Sequence, residues 1–261
     1  MADGVTTAGQ LTTESGRRIA YDRTAGAGPG VVFLGGFMSD KEGTKALALD
    51  AWARARGRAF LRFDYSGHGS SSGAFEDGSI GDWYEDARAV ILGLTEGPQV
   101  LVGSSMGGWI SLLIGRDMPE RVAGLVTIAA APDFTEDSLW AGFSDADRAE
   151  LLKAGRIEVP SDYSGAPYVI TRRLIDEGRG RLVLRTPLDL AFPVRCLQGT
   201  ADVDVRPDLA LRLLAHARAD RMQLTLVKGA DHRFSTPECL RLIEASVEEV
   251  LGEAVQGPRA P

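Results

Sequence analysis

The sequence predicts an α/β fold in which a mostly parallel central sheet is flanked by helices and one stretch is inserted as a helical cap. Three observations predict it. Short apolar runs alternate with amphipathic stretches along most of the 261 residues, the pattern of parallel strands joined by right-handed helical crossovers. The pentapeptide Gly103-Ser104-Ser105-Met106-Gly107 directly follows one such run, Gln99-Val100-Leu101-Val102, so a sharp turn is expected between that strand and the next helix. The alternation lapses once, from Asp133 to about residue 190.

Residues 11–23 are expected to open the sheet with an antiparallel start. Val31-Val32-Phe33-Leu34 is a β-branched run closed by Gly35-Gly36, and a helix over about 41–56 follows, with Leu47, Leu49 and Trp52 among its apolar residues. Residues 59–63 form the next strand, ending in Asp64 and a glycine-rich loop. A helix over about 80–94 leads to a strand at 100–103, a helix beginning at Met106 and a buried strand at 122–129. The last two strands fall at 194–198 and 222–227, with a helix around 209–217 between them. A helix over about 238–251 closes the fold, and the chain from Gly252 is expected to be a frayed tail.

Residues 133–190 carry short amphipathic pieces, acidic turns and several prolines, with Phe134, Leu139, Trp140, Phe143, Leu151, Leu152 and Tyr163 interspersed. A long insertion in a compact fold is often an active-site lid, so a mostly helical cap is expected within a single domain spanning 1–261. Hydrophobic residues make up 44% of the chain and charged residues 25%, ordinary values for a globular protein with one substantial core.

The formal net charge of −7 and the scatter of basic residues disfavour nucleic acid and anionic membrane as partners. Cys196 and Cys239 form neither a disulfide framework nor a zinc pattern, and Cys196 reads as a buried free thiol. No basic start followed by an apolar stretch marks a signal peptide, and no apolar run reaches membrane-spanning length. A cytoplasmic protein with no stable membrane insertion is expected. Its oligomeric state is left open.

A Gly-x-Ser-x-Gly at a strand-to-helix junction lifts the serine Oγ above the sheet, and the glycine spacing selects Ser105 over Ser104. A serine hydroxyl needs an adjacent base, and the base an orienting third group. Three histidines compete. His216 lies in an amphipathic helix, and His68 precedes the serine, against the Ser…Asp/Glu…His order of such sites. His232, on the loop after the last strand, is the expected base. Asp202, after the turn Gly199-Thr200-Ala201, is the expected acid, with Asp204 and Asp133 as alternatives. Asp231 adjoins His232, and its side chain should diverge from its neighbour's. Two backbone N–H groups are needed for a developing oxyanion, and those of Phe37 and Met106 are the candidates. Met38, Trp109, Phe134 and Trp140 are candidates for the walls of a substrate pocket. Arg172, Arg173, Arg179 and Arg181 read as solvated surface. No metal or cofactor is called for.

The strand with its Gly-Gly loop, Arg62-Phe63-Asp64-Tyr65-Ser66-Gly67-His68-Gly69-Ser70-Ser71, the serine turn, Asp202 and His232 together resemble the α/β-hydrolase superfamily over nearly the whole chain. A narrower likeness rests on Gly36-Phe37-Met38-Ser39, Gly43-Thr44-Lys45-Ala46, Val102-Gly103-Ser104-Ser105-Met106-Gly107-Gly108-Trp109 and Asp231-His232-Arg233. In these the chain is similar to palmitoyl-protein thioesterases that also act as mycophenolic acid acyl-glucuronide esterases. The resemblance implies a cofactor-free serine hydrolase acting on an acylated small molecule or protein, with nucleophile, acid and base at Ser105, Asp202 and His232. The animal enzymes are mitochondrial, and no Arg- and Ser-rich leader is visible here, as a bacterial relative would explain. Gln198 stands where a histidine is usual ahead of the acid, so packing there is expected to differ. Short-chain carboxylesterase, peptidase and C–C hydrolase activities use the same triad, and a non-catalytic binding protein is the reading from another class.

Overall fold

The computed structural model describes residues 5–160 and 167–256. Its main sheet has eight strands in the order β1-β2-β4-β3-β5-β6-β9-β10, with β1 at Thr6–Thr12, β2 at Arg18–Thr24, β3 at Ala27–Leu34 and β4 at Arg58–Phe63. The later strands are β5 at Gln99–Ser104, β6 at Val122–Ile128, β9 at Val194–Gly199 and β10 at Met222–Val227. The first two strands pair antiparallel with each other, and β2 pairs antiparallel with β4. Every other pairing in this sheet is parallel.

Alternating side chains explain the layering. Val31, Phe33, Val100, Val102, Val126 and Ile128 point to one face, where α1 (Thr44–Ala55) and α7 (Pro237–Gln256) cover them. Trp52 of α1 donates its indole N–H to Glu248 Oε1 of α7 at 3.1 Å, tying the two covering helices together. Val32, Leu34, Leu101 and Leu125 point the other way, toward α2 (Ile80–Leu94) and α3 (Met106–Asp117). A strand buried on both faces needs an apolar residue at every position rather than at alternate ones, and Val100-Leu101-Val102 meets that demand. Ser79 starts α2 by accepting from the Asp82 N–H, a side-chain N-cap.

Neighbouring strands β3 and β5, with Leu34 opposite Gly103, send their following helices to opposite faces. The loops leaving their C-terminal ends therefore diverge and open a crevice, the position where ligands bind in open α/β sheets.

Two features differ from the expectation. Helix α7 runs to Gln256, beyond the point where fraying was expected, and Glu253 in that added turn pairs with the buried Arg195 of β9. Within 133–190 the helical pieces are present as a π-helical turn at Thr135–Trp140, α4 at Asp145–Ala154 and α5 at Arg172–Arg179. Between α4 and α5 lies an unanticipated antiparallel pair, β7 (Arg156–Val159) with β8 (Tyr168–Thr171). Tyr163, named with the cap, lies outside the described residues. No helix among the described residues is long and apolar enough to cross a membrane.

Candidate active site

The turn after β5 holds Ser105 at φ 54°, ψ −115°, a conformation that costs a non-glycine residue on the order of 1–3 kcal/mol. The surroundings enforce it. Ser105 donates its N–H to the Ile128 carbonyl at 2.9 Å, and its own carbonyl accepts from Gly108 and Ala131 at 2.9 and 3.1 Å. Any side chain on Gly107 would place its Cβ 2.1 Å from the Leu34 carbonyl oxygen, and one on Gly103 would lie 2.4 Å from that of Gly107. These glycines are present because backbone occupies the space a side chain would need.

His232 reaches this serine from the loop after β10. Its Nε2 lies 3.1 Å from Ser105 Oγ and its Nδ1 lies 2.9 Å from Asp202 Oδ2. A carboxylate only accepts, so Nδ1 carries the proton and Nε2 presents a lone pair to the serine hydroxyl. The Asp202 side chain is fully buried. Its Oδ1 accepts the N–H groups of Val205 (2.8 Å) and Asp204 (3.0 Å), and its Oδ2 accepts Gln198 Nε2 at 3.0 Å. Burial alone would push its carboxyl up. Hydrogen bonds from His232, Val205 and Gln198 instead hold it below the ordinary carboxylate range.

Of the two alternative acids, one borders this pair and the other lies elsewhere. Asp204 is exposed, although its carboxylate lies near Asp202 and His232, all three within 4.8 Å of one another. A metal there would have to displace the Asp202–His232 hydrogen bond. Asp133 is fully buried with φ 60°. Its carboxylate accepts Val183 N (2.8 Å), Leu184 N (3.0 Å) and Arg185 Nη1 (2.6 Å). Asp133 thus ties the two ends of the 133–190 segment together. His216 is also structural, with Nε2 at 2.8 Å from the Thr186 carbonyl.

The loop after β3 lies against the serine, since a Cβ on Gly36 would stand 3.5 Å from Ser105 Cβ. Among the described residues, neither the Phe37 nor the Met106 N–H donates to an acceptor. Met106 directly follows the serine and Phe37 follows Gly36, which leaves both N–H groups as candidate donors to negative charge on a bound carbonyl oxygen. The N-terminus of α3 adds its partial positive charge.

Ser105 and His232 open into a cavity of about 600 Å³. Phe37, Phe134, Leu139, Val159, Tyr168 and Ile170 give it an apolar wall, with Phe37 packed edge-on against Phe134 and Tyr168, and Ser39, Thr44, Lys45 and Arg233 are its polar lining residues. Lys45 Nζ donates to the Arg233 carbonyl at 2.5 Å. Burial pushes its amine down to about 8 despite the opposing charge of Asp231.

Of the expected pocket residues, Met38 and Phe134 line the cavity. Trp109 and Trp140 do not, which corrects the expectation. Trp109 is fully buried, donating its indole N–H to the Arg181 carbonyl at 3.1 Å, and Trp140 is covered by the guanidinium groups of Arg148 and Arg179. Arg172, Arg173 and Arg179 pair with Asp176, Asp82 and Glu136. Val159, Tyr168 and Ile170 were missed as wall residues. The two-residue alternation of Arg156-Ile157-Glu158-Val159 was the available signal for the strand that carries one of them.

Comparison with known proteins identifies the family. A sequence profile of the alpha/beta hydrolase family matches residues 31–253. Palmitoyl-protein thioesterase ABHD10, mitochondrial, from Bos taurus is 33% identical over 237 residues, covering 89% of this chain and 76% of its own. The crystal structure of a putative hydrolase from Agrobacterium vitis S4 is similar with a TM-score of 0.88 at 42% identity, covering 95% of this chain and 99% of that one. Mouse alpha/beta hydrolase domain-containing protein 10 gives a TM-score of 0.87 at 30% identity, covering 94% of this chain and 98% of its own. A serine turn can arise on unrelated folds, but a match along nearly the whole chain cannot be reduced to that motif, and the chain belongs to the alpha/beta hydrolase family.

Proposed function

We propose that this hydrolase is a serine esterase or thioesterase that cleaves acyl thioesters or carboxylic esters through an acyl-enzyme intermediate. The observation that carries the reading is the continuous chain from Ser105 Oγ through His232 to Asp202, with contacts of 3.1 and 2.9 Å. In this reading His232 Nε2 takes the Ser105 proton as Oγ bonds to the acyl carbon, and the carbonyl electron pair moves onto oxygen. The N–H groups of Phe37 and Met106 hold that oxyanion. The electron pair then returns and expels the thiol or alcohol, which takes the proton from His232. A water, deprotonated by the same imidazole, releases the carboxylic acid and restores Ser105. Asp202 holds the imidazole in the required tautomer and stabilises the imidazolium.

The apolar wall of the cavity supports a medium or long acyl chain, and similarity to the bovine protein named palmitoyl-protein thioesterase supports the thioester. Residues 133–190 serve as the cap of a single domain, since Phe134, Leu139, Val159, Tyr168 and Ile170 supply most of that wall. A short-chain carboxylesterase is the second reading, because the polar lining residues Ser39, Thr44, Lys45 and Arg233 interrupt the apolar surface that a long chain needs. Acyl release from matched thioesters and oxygen esters of increasing chain length separates the two, with Ser105→Ala as control. Faster turnover of long-chain thioesters, lost in the variant, is the expected result. Activity confined to short oxygen esters would retain the triad and reject the thioesterase.

A further inference from the structure

His68 is buried, 4% exposed, in the loop after β4, and the proposed reaction gives it no part. Its two nitrogens are nonetheless both engaged. Nδ1 lies 3.2 Å from the Ser66 carbonyl oxygen, and Nε2 lies 3.3 Å from the Met38 backbone nitrogen, which donates to it. A carbonyl can only accept and a backbone N–H can only donate, so these contacts select one state: neutral, with the proton on Nδ1 and the lone pair on Nε2. An imidazolium would set its own Nε2–H against the Met38 N–H. Burial, outweighing the Ser66 hydrogen bond and the charge of Asp86, also pushes the imidazole below its ordinary value.

The ring has little freedom to turn away. Tyr65, Phe75 and Trp83 meet it edge-on, with centroids at 5.7, 5.2 and 5.1 Å. Its acceptor is fixed as well. The Ser66 carbonyl also receives Trp83 Nε1 at 3.0 Å, and Asp86 holds the Ser66 N–H and hydroxyl at 2.9 and 2.6 Å. Arg17 Nε holds Asp86 in turn at 2.7 Å.

Met38 needs such a partner because it sits at φ 58°, where a side-chain-bearing residue is strained. Its N–H belongs to the peptide that follows Phe37. The peptide that precedes Phe37 is held at its other end, where the Gly36 carbonyl accepts Ser39 Oγ at 2.8 Å and Ser39 N at 3.2 Å. In a trans peptide the N–H points opposite to the C=O, so fixing the Gly36 carbonyl fixes the direction of the Phe37 N–H. Phe37 thus lies between two clamps, one from Ser39 and one from His68. Were either released, a turn of the Gly36–Phe37 peptide could replace the donor with a carbonyl oxygen.

We propose that His68 is a positioning residue for the oxyanion-binding loop, accepting the Met38 N–H so that the adjoining Phe37 N–H stays directed at the reacting carbonyl. This rests on the serine-hydrolase reading, and the experiment separates the two. His68→Phe keeps an aromatic ring but removes the acceptor, whereas His68→Gln keeps an acceptor and a donor. The assays are steady-state kinetics with a thioester substrate and inhibition by a trifluoromethyl ketone, which forms an oxyanion-bearing adduct with the serine. His68→Phe should lower kcat by roughly 10²-fold, the scale of a misplaced catalytic group, with KM within about twofold. The ketone should weaken in parallel, and His68→Gln should recover most of the loss.

A folded His68→Phe protein with unchanged kcat overturns the proposal, as does an equal loss in His68→Gln accompanied by a rise in KM. Nitrogen-15 shifts of His68 in the wild-type protein need no variant to fold: a neutral ring protonated at Nδ1 supports the proposal, and one protonated at Nε2 overturns it. Full activity in Ser105→Ala would instead remove the serine-hydrolase reading, whatever the His68 variants do.

Discussion

Gln198 Nε2 donates to Asp202 Oδ2 at 3.0 Å, on the same oxygen that receives His232 Nδ1. The amide also donates to the Val205 carbonyl at 2.9 Å. Gln198 therefore braces the loop that carries the acid as well as the acid itself. Rotating the amide would place its oxygen against a carboxylate, which sets its orientation. The residue that departed from the expected histidine thus supplies a donor, and one that does not titrate.

Gln198→Leu removes that donor without reducing the bulk of the side chain much. A hydrogen bond to a charged group is worth about 1.5–3 kcal/mol, so kcat/KM should fall by about 10- to 100-fold while the protein remains folded. Steady-state kinetics and a thermal melt check this. Unchanged kcat/KM would show that the contact has no part in holding Asp202.

Asp202 links folding to pH. Its folded-state carboxyl is held below the ordinary carboxylate value by hydrogen bonds from His232, Val205 and Gln198, so the native state favours the carboxylate. The resulting stabilisation is full above the unfolded value and is lost as pH falls through the folded one. Melting wild type and Asp202→Asn across acid pH should show an advantage of wild type that is constant above about pH 5 and shrinks below the unfolded value. A difference independent of pH would contradict the burial and pairing of this group. The same substitution should lower kcat by roughly 10⁴-fold, since it leaves the imidazole in the wrong tautomer.

Gly107→Ala would press a methyl group to 2.1 Å from the Leu34 carbonyl oxygen, while an added Cβ at Gly142 meets nothing within 4 Å. The first change should destabilise the fold by about 1–3 kcal/mol or more and remove activity. Gly142→Ala should leave stability equal or about 0.4–1 kcal/mol higher. Denaturant unfolding of the pair checks this, and equal stabilities would mean the turn has room to relax.

Much of this architecture was legible in the sequence. Central strands such as β5 announce themselves because burial on both faces demands uninterrupted apolar residues, and the glycines around Ser105 record where backbone lies too close for a side chain. Chain order favoured His232 over His68, whereas Asp202, Asp204 and Asp133 all satisfy that order, and only the position of Asp202 after the turn that ends its strand set it ahead. The substrate walls were less legible. Trp109 and Phe134 are both large aromatics near the serine turn in sequence, yet Trp109 faces the core and Phe134 the cavity, and only three-dimensional packing decides between them. The strand pair β7–β8 has four residues on each side, and that length carries too little periodicity to stand out. His68 was set aside as a base on chain order, and its partner Met38 N lies 30 residues away, beyond any local pattern.

In the proposed reaction the Ser105 hydroxyl, activated by His232, is the nucleophile. Labelling with a fluorophosphonate, followed by mass spectrometry of the digested protein, tests it most directly. One adduct per chain is expected, on the peptide containing Ser105, absent from Ser105→Ala and strongly slowed in His232→Ala. Equal labelling of Ser105→Ala, or an adduct on any other residue at the same rate, would contradict it.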